Sequence, residues 1–196
     1  MMMVPLFRYF LGFQVAADRA GWLARQLPPV AGDLFAGLKP QLYHLTLCTI
    51  AETAAPHPFL RQRVAKALET GLPAASPIPF GRIVARDEGA ELVTAGGGGG
   101  VRQLYEAIVA LLAPHDIAPM HRKAGLRPHI TLGYGECDFP AAPLAWTWIP
   151  RELALIESHV GHRRHRVLQS WTLAPPAQAM FDFMADELPP PLRRAA

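Results

Sequence analysis

Alternation of apolar and polar side chains marks two short strands that share one pattern. His44-Leu45-Thr46-Leu47 and His129-Ile130-Thr131-Leu132 each place a histidine, an apolar residue, a threonine and a leucine in succession. Because successive side chains of an extended strand point to opposite faces, each histidine shares a face with its threonine. Each segment therefore predicts a strand with one apolar face and one polar face, on which an imidazole lies beside a hydroxyl.

The rest of the chain carries further strand and helix patterns. Apolar and β-branched runs predict strands over 7–15, 42–50, 80–86, 91–95, 152–158 and 167–173. The strands 80–86 and 91–95 would form one hairpin, and 152–158 and 167–173 a second. Apolar residues at helical spacing predict helices over 18–27, 59–68 and 101–112. Asp18 is the expected cap of the first helix.

The order of these elements in the second half repeats that of the first. Asp18, at the start of the first predicted helix, lies 26 residues before His44, and Val101, at the start of the third, lies 28 residues before His129. We therefore predict an α+β fold with two pseudo-symmetric lobes, whose antiparallel sheets are flanked by helices and face each other across a central cleft. Residues 1–188 would form this single bilobal domain with interleaved lobes, and 189–196 a mobile tail.

Composition sets bounds on this picture. Of the 196 residues, 51% are hydrophobic and 18% charged, which is typical of a folded globular chain. The net charge is only +3, but most basic residues are arginines, which suit phosphate or carboxylate recognition. Two cysteines are too few for a disulfide framework and favour a cytoplasmic location. No apolar run reaches the ~18 residues of a membrane span.

Paired histidines can carry out displacement at phosphorus without a metal. One neutral imidazole takes a proton from the attacking water or hydroxyl, while one imidazolium gives a proton to the departing oxygen. Thr46 and Thr131 could donate hydrogen bonds to the phosphoryl oxygens, and the charged guanidinium of Arg127 could donate paired hydrogen bonds to them. A single His-x-Thr segment usually has a packing role or lies on the surface without a catalytic role. Two copies, each followed by a leucine, favour catalysis.

The segments His44-Leu45-Thr46-Leu47 and Arg127-Pro128-His129-Ile130-Thr131-Leu132 resemble the two His-x-Thr motifs of the 2H phosphoesterase superfamily. Arg8-Tyr9-Phe10-Leu11-Gly12-Phe13 also resembles its first strand, so the resemblance covers most of the chain. It implies metal-independent chemistry on 2′,3′-cyclic phosphates or 2′-5′ linkages of RNA ends or nucleotides. By analogy with the bacterial RNA 2′,3′-cyclic phosphodiesterases, often named 2′-5′ RNA ligases, His44 would be the general acid toward the 3′ oxygen and His129 the general base on water.

The residues that follow each motif depart from that bacterial branch. Its first motif usually continues with Lys-Phe-Leu-Gly and its second with Ala-Arg, whereas Cys48-Thr49-Ile50 and Gly133-Tyr134 stand here. The exact substrate therefore stays open. Arg127, Tyr134 and Tyr43 are the predicted substrate-binding residues, and Tyr134 could either stack on a base or pack.

Three other features allow two readings each. The run Gly96–Gly100 favours a flexible lobe connector over an anion site, since no Gly-Lys-Ser or Gly-Lys-Thr follows. His159, His162 and His165 lie among arginines, which oppose a metal cation and favour a solvated basic turn, with or without contact to RNA. Cys48 shares the His44 face of a regular strand, yet is more often a small buried residue than a nucleophile.

These observations predict a metal-independent phosphodiesterase without cofactors. It would open 2′,3′-cyclic phosphates at RNA ends or on small cyclic nucleotides to 2′-phosphates, with reversible 2′-5′ ligation as a further activity. We expect a cytoplasmic monomer with no membrane contact and no obligate protein partner. One alternative is a non-catalytic module that binds RNA ends or nucleotides on the same fold, and another is a metal hydrolase that uses the histidines of 159–165.

Overall fold

The computed structural model describes residues 6–30, 34–121 and 123–176, and the structural statements below refer to these residues. The strands are β1 Phe7–Gln14, β2 Ala36–Gly37, β3 His44–Thr53, β4 Ile78–Arg86, β5 Gly89–Thr94, β6 His129–Tyr134, β7 Ala142–Trp148, β8 Glu152–His159 and β9 Arg164–Thr172. The helices are α1 Ala17–Ala24, α2 Leu60–Leu68 and α3 Gly99–Leu112. The predicted α+β class and both predicted hairpins are confirmed, while the predicted tail at 189–196 lies outside the described residues.

All nine strands belong to one sheet, in which neighbouring strands run antiparallel. The order is β7-β4-β5-β6-β3-β1-β8-β9, and the short β2 pairs with the end of β6. The two motif strands β3 and β6 are neighbours and pair at Leu45 and Ile130. Four strands lie on each side of this junction, so the two halves expected from the sequence share a single sheet instead of forming two separate ones.

The back of the sheet carries a hydrophobic core that fixes the register of both motif strands. Leu45, Leu47, Ile130 and Leu132 are at most 1% exposed. Burying a side chain of this size stabilises the fold by ~1.5–3 kcal/mol. A slip of one residue in either strand would turn these side chains to solvent and the histidine into the core. The core therefore holds the imidazoles on the front of the sheet.

The helices cover the back of the sheet and begin or end slightly off their predicted positions. Helix α1 follows Ala16, so Asp18 lies in its first turn instead of capping it. Its carboxylate still favours the positive end of the helix dipole there. Trp22 of α1 packs against Trp146 of β7, with ring centroids 5.9 Å apart. No helix in the described part of the chain is long and apolar enough to span a bilayer.

The run of five glycines starts a helix and is not the flexible connector expected from the sequence. Gly96–Gly98 form a 3₁₀ turn, and the next two glycines are the first residues of α3. Gly98 has φ 70°, and a Cβ atom there would lie 2.9 Å from Cγ of Pro128. Glycine is needed at this position because α3 begins against the residue that precedes His129.

Candidate active site

The two His-x-Thr motifs face one cavity. Since β3 and β6 run antiparallel through Leu45 and Ile130, their register sets His44 across from Thr131 and Thr46 across from His129. These four side chains alternate with the buried leucines and isoleucine, and they all line one cavity of about 360 Å³. The motifs are thus related by an approximate two-fold axis, and the structure brings together the four residues expected to be catalytic.

Both imidazoles are held in the same way. The Nδ1–H group of His44 donates to the backbone carbonyl of Leu42 at 2.7 Å, and that of His129 donates to the carbonyl of Arg127, also at 2.7 Å. A carbonyl oxygen can only accept, so each neutral ring carries its proton on Nδ1. Nε2 of each ring is then left as the atom that exchanges a proton with a ligand.

The surroundings of His44 are aromatic and include a second histidine. Phe10 stacks on its ring at 4.8 Å between centroids, and His165 meets it edge-on at 4.8 Å. Burial, with smaller contributions from the charges that His165 and His129 can carry, lowers the pKa of His44 to about 4, against the opposing hydrogen bond to Leu42. His44 is therefore neutral at pH 7.

His129 differs from His44 in having an acidic neighbour. Its Nε2 lies 3.5 Å from Oε1 of Glu91 on the adjacent strand β5. The other carboxylate oxygen of Glu91 lies 3.7 Å from Nε of Arg86. Glu91 is largely buried, so its negative charge is less screened by solvent than that of a surface carboxylate. This carboxylate is the ionic partner within reach of the second imidazole when that ring carries a proton.

Two of the three predicted substrate-binding residues line the same cavity. Arg127 is exposed beside His129, and Tyr134 lies at the end of β6 with 45% of its surface exposed. Tyr43 does not line it. It is 2% exposed within the hydrophobic core, where burial raises its pKa, so its prediction as a substrate-binding residue is corrected.

Comparison with known proteins finds similarity in three dimensions. No protein-family model matches the sequence, and no curated protein matches it. A phosphoesterase crystal structure matches with a TM-score of 0.64 at 18% identity, over 85% of this chain and 98% of that chain. E. coli LigT in its apo form matches with 0.65 at 18%, over 88% and 99%. E. coli LigT complexed with 3′-AMP matches with 0.62 at 20%, over 86% and 98%.

The fold is that of these phosphoesterase and LigT structures. The resemblance drawn from the two motifs is thereby confirmed for the fold. At sequence identities of 18 to 20% the activity has to be argued from the site itself.

Within this fold, one arginine holds the loop before the second motif. Arg102 of α3 donates to the carbonyls of Gly97, Lys123 and Leu126, at 3.1, 2.9 and 2.8 Å. The hydroxyl of Tyr105, one turn along the same helix, donates to the carbonyl of His121 at 2.6 Å. These bonds hold the segment that leads into Arg127 and His129.

Several residues of the cavity escaped the sequence analysis. Phe10, Arg8, Ser158 and His165 line it from β1, β8 and β9. They reach the site because β1 pairs with both β3 and β8, and β8 pairs with β9. No local pattern identifies those pairings. The only available signal was the basic run around His165, which suggested a solvated turn.

Of the other candidate residues of the sequence, Cys48 and His165 line the cavity and His159 does not. Cys48 is 4% exposed, and burial raises the pKa of its thiol to about 12, which opposes a nucleophilic role. His159 lies 3.4 Å from Glu157 and packs against Phe7. In the ranges that the structure describes, no group of three or more His, Cys, Asp or Glu side chains is placed to share a metal ion.

A larger cavity of about 520 Å³ lies elsewhere, between α1 and the ends of β7 and β8. Trp146, Trp148 and Arg151 are among the residues that line it, and no motif histidine or threonine does. Volume alone does not identify an active site. The smaller cavity is the candidate because it alone of the two combines paired proton-transfer groups with hydroxyl donors.

Proposed function

We propose that the protein is a metal-independent phosphodiesterase that opens 2′,3′-cyclic phosphates at RNA ends or on nucleotides and leaves 2′-phosphates. The observation that carries the proposal is the symmetric pair of imidazoles, each held at Nδ1 by a backbone carbonyl so that Nε2 is the proton-transfer atom, beside two threonines in one cavity. The similarity to LigT complexed with 3′-AMP supports a nucleotide as the ligand of this cavity.

The reaction needs one base, one acid and donors to the phosphoryl oxygens. A water oxygen attacks phosphorus while one imidazole removes its proton, the bond between phosphorus and O3′ breaks, and the second ring, an imidazolium, gives O3′ its proton. Thr46 and Thr131 donate to the non-bridging oxygens as their charge grows. The product carries a 2′-phosphate and a 3′-hydroxyl.

Electrostatics in the free protein favour the opposite assignment of roles from the analogy drawn above. His44 is partly buried, and its pKa is lowered to about 4, so it is ready to accept a proton at neutral pH. His129 has the carboxylate of Glu91 3.5 Å from its Nε2, as the ionic partner of an imidazolium able to give one. In this proposal His44 is therefore the general base and His129 the general acid. The acid limb of kcat/KM should then lie near pH 4, well below the ordinary value for histidine.

The same steps accommodate ligation. If the 5′-hydroxyl of a second RNA takes the place of water, displacement of O3′ forms a 2′-5′ linkage. In the reverse direction, cleavage of that linkage by the 3′-hydroxyl, the two histidines exchange roles because each proton transfer is reversed. The near-symmetry of the cavity suits both directions.

The deciding experiment is a product analysis with a chelator present. We expect the pure protein to convert 2′,3′-cyclic AMP and cyclic-phosphate-ended RNA to 2′-phosphates, identified by chromatography against 2′- and 3′-AMP standards. His129→Ala should lose this activity. A 3′-phosphate product would contradict the proposed displacement of O3′.

The two alternatives give different results in the same assay. A binding module would retain the cyclic nucleotide without converting it, which would select that function over catalysis. A metal hydrolase would lose turnover in the chelator and recover it on addition of a divalent cation. Turnover that is insensitive to the chelator and absent from His129→Ala fits only the proposed mechanism.

A further inference from the structure

A second cavity adjoins the catalytic one, beneath the turn between β8 and β9. This second cavity has a volume of about 410 Å³. Arg8, Tyr134, Ser158 and His165 line both cavities, so the two are adjacent along these side chains. A ligand that reacts between His44 and His129 can therefore extend past His165 into the second cavity.

The charged side chains that line the second cavity are cationic or titratable to cations. They are Arg8, His159, Arg163 and His165, and none of the described residues that line it is acidic. Two of these four side chains have glutamate partners that do not line the cavity and that partly neutralise their charge. Nε of Arg8 pairs with Glu52, and His159 lies 3.4 Å from Glu157. Arg8 retains its two terminal amino groups for a ligand. Arg163 adds a full guanidinium charge.

Arg163 occupies this position at a conformational cost. It has φ 49°, a left-handed conformation that side chains other than glycine rarely adopt. Such a conformation costs about 1–3 kcal/mol and persists where the surrounding structure imposes it. Here the tight turn after β8 imposes it and directs an arginine to the cavity.

His165 presents a neutral donor at the boundary between the two cavities. Its Nδ1 is buried with no hydrogen-bond partner, and burial lowers its pKa. A proton on a buried, unpaired Nδ1 would be costly, so the neutral ring carries its proton on Nε2. Nε2 is neither buried in that way nor bonded to another described residue, which leaves this N–H free for a ligand.

We propose that the second cavity binds the phosphodiester that neighbours the reacting phosphate, so that the preferred substrate is an RNA chain of at least two nucleotides. This inference rests on the proposed function. A phosphodiester supplies the anionic oxygens that the Arg163 guanidinium and the His165 N–H can bind. A mononucleotide cyclic phosphate fills the catalytic cavity and leaves the second one empty.

The test compares two substrates of different length. We expect kcat/KM for adenylyl-adenosine 2′,3′-cyclic phosphate to exceed that for 2′,3′-cyclic AMP by ~10-fold or more, from one additional charge-assisted contact. Arg163→Ala should reduce the ratio of the two values by most of that factor. The matched control is Arg164→Ala, which removes the same charge from the next residue, the first of β9, which lines neither cavity.

Salt dependence gives a second measure of the same contact. Loss of one phosphate contact to a single strand flattens the slope of log affinity against log salt concentration by about 0.7. Arg163→Ala should show this change with the dinucleotide and Arg164→Ala should not. Equal kcat/KM for the two substrate lengths, or equal losses in the two variants, would overturn the subsite.

Failure of the proposed function and failure of the subsite give different results. Calorimetric binding of 2′-AMP and of the dinucleotide 2′-phosphate product measures the length preference without turnover. A protein that converts neither substrate would refute the phosphodiesterase, and the binding ratio would still test the subsite. Conversion of both substrates with no length preference would refute the subsite alone.

Discussion

The two motifs share one backbone arrangement and differ in their electrostatic surroundings. Each histidine donates from Nδ1 to the carbonyl two residues before it, at 2.7 Å in both cases. His44 lies against Phe10 and His165, whereas His129 lies 3.5 Å from Glu91. Similar geometry with unequal charge lets one fold provide a base and an acid from the same residue type.

Removing either imidazole is the most severe test of this pairing. His44→Ala and His129→Ala should each reduce kcat on 2′,3′-cyclic AMP by ~10²- to 10⁴-fold, because each ring performs one proton transfer. The double variant should be little worse than the poorer single variant, since the two groups act as a unit. His162→Ala, which removes an exposed histidine of the β8–β9 turn, is the control. Near-wild-type turnover in either single variant would refute paired catalysis.

The threonines test whether the two halves contribute equally to charge stabilisation. Thr46→Val and Thr131→Val keep the shape of the side chain and remove the hydroxyl donor, so each should lower kcat by ~10²-fold. Thr46→Ser and Thr131→Ser keep the donor and should recover most of the loss. A valine variant as active as its serine counterpart would show that the hydroxyl does not reach the phosphate.

Local patterns predicted the motif strands, and long-range pairing decided the rest of the site. The period of two along β3 and β6 depends only on neighbours in the chain, so the shared face of each histidine and threonine followed from it. The same period argues against Tyr43, which precedes His44 and therefore points to the opposite face. Glu91 and His165 belong to strands whose neighbours are set by the order of the sheet, and no local pattern reveals that order.

The burial of His44 also predicts a stability that depends on pH. Its pKa is about 4 in the folded protein and 6.5 ordinarily, so the unfolded chain binds more protons between these values. Stability is therefore fully present above pH 6.5 and is lost as pH falls toward 4. Because the ring is only partly shielded from solvent, we expect a loss of about 2 kcal/mol, less than the full shift implies.

Urea unfolding between pH 7.5 and 4.5 measures this loss. His44→Asn keeps a donor for the carbonyl of Leu42 but cannot titrate, so its stability should fall less over that range than that of the wild type. His165, whose pKa is also lowered by burial, contributes in the same direction and remains in both proteins. His162→Asn should follow the wild type. Parallel curves for His44→Asn and the wild type would contradict the burial of a neutral His44.

Substitution of Glu91 tests the difference between the motifs with the smallest expected effect on activity. Glu91→Gln removes the carboxylate charge beside His129 and keeps the shape of the side chain, so the imidazolium loses a stabilising partner. We expect kcat/KM at neutral pH to fall about threefold to tenfold, corresponding to ~1 kcal/mol for a partly screened charge pair. The acid limb of the pH profile, set by His44, should stay in place.

The control for Glu91→Gln is Glu136→Gln, which makes the same change of charge at an exposed residue outside the cavity. It should leave both limbs unchanged. If Glu91→Gln instead moved the acid limb, the carboxylate would act on the base, and the roles of the two histidines would be the reverse of those proposed. If it left kcat/KM unchanged, the difference between the motifs would reside in the surroundings of His44 alone, since Glu91 would then contribute no charge to the reaction.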